Sequence, residues 1–392
     1  MNLFNLKKLN ISKNLAWLYT GRVSIQAAFG VIGVFLPIFF YEKLGNSFTS
    51  VLVFFAIMFA LTLFLYPLAA RILNHLNMKY MMVISVPFAL MSVLSLAFWD
   101  YNPYVVMGIF IIAITVYKLL YWLPYHVDFA KFTDEDIRGR QISLLRNIAQ
   151  IVGTITPLIG GAIIVFFTFK GLFLISSAVF LMSIFPAFFV KGTREHYSWG
   201  YIETFKKLFH KENRDLLIAY TADGFQSVVS VVVWPIFIFL LLDGEYLTVG
   251  IVSSITIFAI IILRFFIGNL IDTWDQKRMV VIGSVLATTG WIIKLFVETA
   301  FQIFIADTYH SVGRVIHRTS VDTTTYDQAA DNGHYMDEYT VLREMALNIG
   351  RLLMLALAFV ISLFFTMKFI FIFAAIATLF VMLVNKQRNI AH

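Results

Sequence analysis

Four apolar stretches of this 392-residue sequence each carry a few polar side chains that apolar surroundings make costly. Arg22 and Gln26 sit four apart in the first, and Lys118, Tyr121 and Trp122 fall together in the second. Asp223 and Gln226 mark the third, and Asp307, His310 and Arg314 the fourth. Ionisable groups in such stretches face a water-filled cavity or one another, because a lone charge in hydrocarbon is expensive. Residues three or four apart share a helix face, which groups Arg22 with Gln26 and His310 with both Asp307 and Arg314. The chemistry these types offer is binding and proton carriage. Arginine and lysine hold an anionic or zwitterionic group, and a carboxylate that alternates between an apolar setting and a neighbouring cation changes its proton affinity. Asp223 and Asp307 are thus the candidate proton carriers, and the remaining residues named here are candidate substrate-binding groups. Tyr117 and Trp234 are further members of an aromatic cage. The same charges also suit structural ion pairs, Arg22 with Asp223 and Asp307 with Arg314, that select helix packing. Lys294 and Arg264 lie near the ends of apolar runs, where long side chains reach the headgroups; Arg351 lies deeper and fits either role.

The elements that must position these residues follow from composition. The chain is 60% hydrophobic and 14% charged, against about 25% charged residues in a soluble domain. A bilayer core takes about 20 apolar residues per helix, and apolar runs of that length are helical because open strands leave backbone groups unsatisfied in lipid. Twelve spans are expected, at 16–41, 48–72, 81–99, 104–126, 141–168, 171–190, 215–241, 247–270, 279–297, 300–321, 340–365 and 368–385. The tenth is the most polar. With the N-terminus inside, the outer loops hold only Lys43, Lys170 and Lys368 as basic residues, whereas Arg71, Lys79, Lys191, Arg194, Lys206, Lys207 and others fall inside. That asymmetry places both termini in the cytoplasm. The net charge of +7 is spent on these short gaps, so it orients a membrane protein and gives no reason to expect a nucleic-acid partner. No convincing signal-peptide cleavage site precedes the first span.

The longest inner gap, 191–214, divides the spans six and six, and its "YIETFKKLFHK" is amphipathic enough to lie on the inner membrane surface. The expected organisation is an N-terminal bundle over 1–190, this basic linker, and a C-terminal bundle over 215–392. Repetition supports it. "LLRNIAQIVG" at 144–153 is echoed by "VLREMALNIG" at 341–350, "KYMMVIS" at 79–85 by "KRMVVIG" at 277–283, and "LPIFF" at 36–40 by "WPIFI" at 234–238. A common offset of 197–198 residues is the mark of a duplicated six-helix unit.

The gap after the eighth span, "GNLIDTWDQKR" at 268–278, resembles the loop motif of the major facilitator superfamily, with Gly268, Leu270, Asp272, Lys277 and Arg278 in place and Asp275 where a second glycine is common. The equivalent "ARILNHLNMKY" at 70–80 departs from it, with Ala70 for Gly and Asn74 for Asp. "DFAKFTDEDIRGRQ" at 128–141 is similar to the family's acidic-then-RGR lead into span 5. "GTITPLIGG" at 153–161 resembles the Gly/Pro-rich span-5 motif of drug–proton antiporters, with Thr156 where that motif has Gly; ordinary small-residue packing explains it as well.

The resemblance implies an all-α polytopic membrane protein with 12 transmembrane helices in two pseudo-symmetric six-helix bundles, and a central cavity lined by spans 1, 4, 7 and 10. It further implies a proton-coupled secondary transporter for a small organic solute, working by alternating access in the bacterial plasma membrane, functional as a monomer and needing no cofactor. The alternative is a receptor or lipid-handling protein that keeps the fold. Gly268, Asp272, Lys277 and Arg278, with Arg138, Arg140 and Arg146 at span 5, become gating residues. Asp272 is expected to latch onto the start of span 5, where a helix N-terminus favours an anion. Asn74 would face Asp337 and Glu338 in "YMDEY", and its neutrality removes a repulsion. The absence of cysteine excludes thiolate metal sites. No phosphate loop, HExxH or Gly-x-Ser-x-Gly is present, which argues against an enzyme.

Overall fold

The computed structural model describes residues 11–133, 137–271, 276–331 and 336–381, and they are helical almost throughout. In chain order the helices are α1 (Lys13–Ile32), α2 (Phe35–Lys43), α3 (Phe48–Ile72), α4 (Met78–Leu96), α5 (Pro103–Phe132), α6 (Arg138–Phe189) and α7 (Tyr201–Leu208). There follow α8 (Arg214–Val228), α9 (Trp234–Leu241), α10 (Tyr246–Ile271), α11 (Gln276–Ile293), α12 (Ala300–Asp331), α13 (Met336–Phe364) and α14 (Ile370–Phe380). Side-chain caps set several starts: Ser12, Ser47, Asn77 and Asn102 each accept a hydrogen bond from a backbone N–H in the first turn of α1, α3, α4 and α5.

Among the described residues, eight helices are long and apolar enough to cross a membrane, or nine if α1 and α2, bent by 40°, form one span. The difference from the twelve expected spans has three sources. Two expected spans share α6, whose helical path is broken only at Thr168 (φ 60°). The polar α12 does not qualify as an apolar span. The last apolar helix, Met367–Phe380, is short within the described part. Large apolar side chains such as Phe166, Met182 and Phe364, each more than 70% exposed, project from the outer faces, as expected where lipid is the solvent. The chain is a multi-pass membrane protein.

Helix α1 packs on α6, α4 on both α5 and α6, α11 on both α12 and α14, and α8 on α13. Two further pairings join early and late parts of the chain: α6 with α10, and α3 with α13. These exchange under the 198-residue offset, which carries α6 to α13 and α10 back to α3. The turns repeat too: the chain reverses through paired left-handed residues at Gly45–Asn46 and at Asp243–Gly244, again 198 apart. Close helix approach explains the glycines of "GTITPLIGG". A Cβ on Gly160 would stand 2.2 Å from the Val31 carbonyl oxygen, and one on Gly161 would stand 2.7 Å from that of Tyr246. That stretch wedges α6 between α1 and α10.

Candidate functional site

Three groups of charged and aromatic side chains lie within the apolar helices. The first joins α1 to α5. Arg22 stacks over Trp122, 4.7 Å from the ring centroid, and reaches Tyr125 at 5.8 Å. Helical spacing aligns Tyr117, Tyr121 and Tyr125 in a ladder with ring centroids 5.4 and 5.6 Å apart. An arginine over aromatic faces keeps its charge partly compensated without a carboxylate. Gln26, one turn further along α1, is half-buried.

The second group joins α3, α5 and α13. Lys118 Nζ lies 3.7 Å from the Met58 sulfur and 5.0 Å from the Phe59 ring, and the Arg351 guanidinium lies 5.1 Å from that same ring. Two cations, 233 positions apart in the chain, thus share one phenyl group. Arg351 also donates to Asn348 Oδ1 at 3.1 Å. On α8, Asp223 accepts from the Gln226 amide at 3.1 Å, and Gln226 in turn accepts from Thr378 of α14 at 3.1 Å.

The third group is the most enclosed. Lys294, in the 3-10 turn that ends α11, donates to Asp307 of α12 at 2.7 Å. Its ammonium is 4.0 Å from the Trp234 ring and 4.6 Å from Trp291. A π-helical turn at Val229–Val233 precedes Trp234, and Pro235 removes the next backbone donor. That irregularity, of a kind frequent at functional sites, delivers the indole inward. His310, 1% exposed, lies against Trp291 with ring centroids 4.4 Å apart, and among the described residues neither imidazole nitrogen has a hydrogen-bond partner. Arg314 lies one turn beyond on α12 and is exposed.

Sequence reasoning placed Lys294 at a span end, reaching for headgroups. The structure corrects this: Lys294 is 1% exposed and is the partner of Asp307. Of its two indoles, Trp234 comes from 60 positions away, whereas Trp291 stands three residues before Lys294, a spacing legible in the sequence. Arg22 meets an aromatic pair and Asp223 an amide, in place of the Arg22–Asp223 bridge considered as an alternative.

Of the expected gating residues, Arg278 is exposed in the first turn of α11. Asp272 lies outside the described residues. Gly268 falls on α10, Lys277 on α11, and Arg138, Arg140 and Arg146 on α6, with their side chains outside the described part. An apolar cavity of about 440 Å³, lined by α8, α13 and α14 residues including Leu217, Phe225, Leu353 and Phe373, contains none of the charged groups.

No protein-family model matches the chain. It is 23% identical over 243 residues to the uncharacterized protein YqgE of Bacillus subtilis (strain 168), over 59% of this chain and 56% of that one. The chain therefore spans about half the length of this curated relative. Among solved structures it is similar to the fucose:proton symporter FucP of E. coli, at 13% identity with a TM-score of 0.64, over 95% of this chain and 98% of that one. A second structure, of FucP in the outward conformation and described as a Major Facilitator Superfamily transporter, gives 12% identity and the same TM-score and coverage. The architecture is that of a helical multi-pass membrane protein. The fold is that of the major facilitator superfamily.

Proposed function

We propose that this chain is a secondary active transporter that moves a small organic solute across the bacterial plasma membrane, coupled to protons. Twelve spans in two six-helix bundles, residues 1–190 and 215–392, would rock about a midplane site, with the termini in the cytoplasm. The observation that carries this reading is the second group: Lys118 and Arg351, from early and late helices, lie on one phenyl ring between apolar helices. Cations inside apolar spans are costly and mark a pathway or binding site. The exchange of the α6–α10 and α3–α13 pairings under the repeat offset supports two equivalent bundles. FucP, a fucose:proton symporter by description, supports proton coupling.

Arg22 and Lys118 would hold an anionic or zwitterionic part of the solute, with Gln26, Tyr121, Trp122, Gln226, His310 and Arg314 as further contacts. Asp223 and Asp307 would carry the proton. A lipid-handling role is the second reading, favoured by the apolar cavity beside α8. A thermal-shift screen of solutes at two pH values names the ligand class, since a ligand of the folded state stabilises it. Hits then go to counterflow in proteoliposomes. Exchange of labelled for unlabelled solute is the expected result, and a ligand that binds without exchanging would sink the carrier reading.

A further inference from the structure

The segment 191–200 runs without regular secondary structure between α6 and α7, yet its side chains and backbone are heavily bonded. Nearly all its anchors belong to the early helices. Lys191 N–H donates to Asn14 Oδ1 at 3.2 Å, the Thr193 carbonyl accepts from Met78 N–H at 3.1 Å, and the Thr193 hydroxyl donates to Asp128. Glu195 forms an ion pair with Lys131. Beyond the end of α3, the Asn74 side chain pairs with the backbone of Tyr197 in both directions: its Oδ1 accepts from Tyr197 N–H at 2.7 Å and its Nδ2 donates to the Tyr197 carbonyl at 3.0 Å. The His196 ring also meets Oδ1 at 2.8 Å.

The next residue changes allegiance. Ser198 donates to Glu338 Oε1 through its backbone N–H at 3.2 Å and through its hydroxyl at 2.7 Å. Glu338 begins α13, 1% exposed. Tyr197, 2% exposed, bonds to the Thr204 hydroxyl at 2.8 Å, tying the segment to α7. Burial pushes the Tyr197 phenol up, and the Glu338 and Asp337 carboxylates add to that shift, so it stays protonated. The result is a chain of short bonds, Asn74 to Tyr197, then Ser198 to Glu338, that runs from the end of α3 to the start of α13.

Asn74 needs its amide for this. It donates to and accepts from the backbone of one residue, and an aspartate in its place would set a carboxylate oxygen against the Tyr197 carbonyl. The departure from the loop motif at this position is thus a hydrogen-bonding requirement.

We infer that residues 191–200 form a strap, fixed to the N-terminal helices and released or engaged at Glu338, that latches the cytoplasmic ends of the two bundles together. This rests on the proposed alternating-access reading and its orientation. Opening of the cytoplasmic side separates α3 from α13 and must break the Ser198–Glu338 bonds, because the strap has several anchors on α1, α4 and α5 and would stay with them. Hydrogen bonds to a carboxylate are stronger than neutral ones. Their loss is expected to shift the ratio of closed to open forms about 5–30-fold.

The natural chain has no cysteine, so spin-label pairs can be introduced cleanly. One pair, His75→Cys with Arg214→Cys, reports the cytoplasmic side, and a second, Tyr101→Cys with Glu298→Cys, reports the opposite side. In lipid nanodiscs, Glu338→Gln and Asn74→Asp should each enlarge the long-distance population of the first pair and the short-distance population of the second. Ser198→Ala removes one hydroxyl and nothing larger, so it should do the same to a smaller extent in a protein that folds normally. If the wild-type protein samples two distances at both pairs and all three variants leave the populations unchanged, the strap is not a latch and alternating access stands. If every protein holds one distance at both pairs, latch and alternating access fall together.

Discussion

Removing one member of the Lys294–Asp307 pair should cost more when the member left behind is the enclosed one. The Lys294 side chain is 2% exposed and that of Asp307 27%. Asp307→Asn leaves an ammonium with no counter-charge, compensated by the Trp234 and Trp291 rings at 4.0 and 4.6 Å. A desolvated cation–π contact contributes about 2 kcal/mol, and breaking a buried pair costs about 3–5 kcal/mol. With the indoles retained, the loss is expected near the lower end, about 3 kcal/mol. Lys294→Met keeps an unbranched chain between the indoles and leaves the less enclosed member of the pair, so about 1–2 kcal/mol is expected. The double variant Lys294→Met/Asp307→Asn removes both charges together, leaves no uncompensated ion, and should fall within about 1 kcal/mol of wild type. The cycle then gives a coupling of about 3 kcal/mol. Equilibrium unfolding in mixed micelles, followed by circular dichroism, measures all four proteins. Additive single effects, or a Lys294→Met loss larger than that of Asp307→Asn, would refute the reasoning.

Helix approach and orientation give two more tests. A Cβ at Gly350 would lie 1.9 Å from the Thr221 carbonyl oxygen, and one at Gly224 would lie 2.0 Å from that of Leu347, so either Ala substitution should force α8 and α13 apart. A loss of about 1–3 kcal/mol is expected from such overpacking, whereas Gly153→Ala, with open space around it, should be neutral or stabilising by about 0.5–1 kcal/mol; equal unfolding midpoints for all three would contradict this. For orientation, a membrane-impermeant maleimide should label Lys43→Cys in intact cells and His75→Cys only after permeabilisation, and the reverse pattern would invert the proposed topology.

The Gly153–Gly350 comparison shows how far the repeat could be read. Both positions close the duplicated phrase, and the offset correctly related α6 to α13 and the two left-handed turns to one another. It did not show that only the second glycine is pressed against a neighbour, because crowding depends on how closely the facing helix approaches. Span counting met a similar limit. Hydropathy marks where the chain can cross lipid, and the expected division between 168 and 171 coincides with the break at Thr168, but it does not show that the helix otherwise runs on through the turn as one element. In α12 the polarity that obscures a span is the same polarity that supplies Asp307, His310 and Arg314.

The charged residues were legible as costs and not as partners. Apolar context alone identified Arg22, Lys118, Asp223 and Asp307, since a charge in hydrocarbon stands out in any sequence. What meets each one is decided by packing: Asp307 and two indoles for Lys294, a shared phenyl ring for Lys118 and Arg351, and the Trp122 ring for Arg22. Aromatic rings carry no formal charge, so an ion-pair search passes over them, and with 41 phenylalanines and 7 tryptophans their number conceals the few that face a cation. Asn74 is the complementary case. As a missing charge it invited an electrostatic explanation, while its two-way bond to the Tyr197 backbone shows that the donor mattered. An aspartate could match the asparagine's shape and its acceptor, and it would still lack the hydrogen that Asn74 Nδ2 donates to the Tyr197 carbonyl.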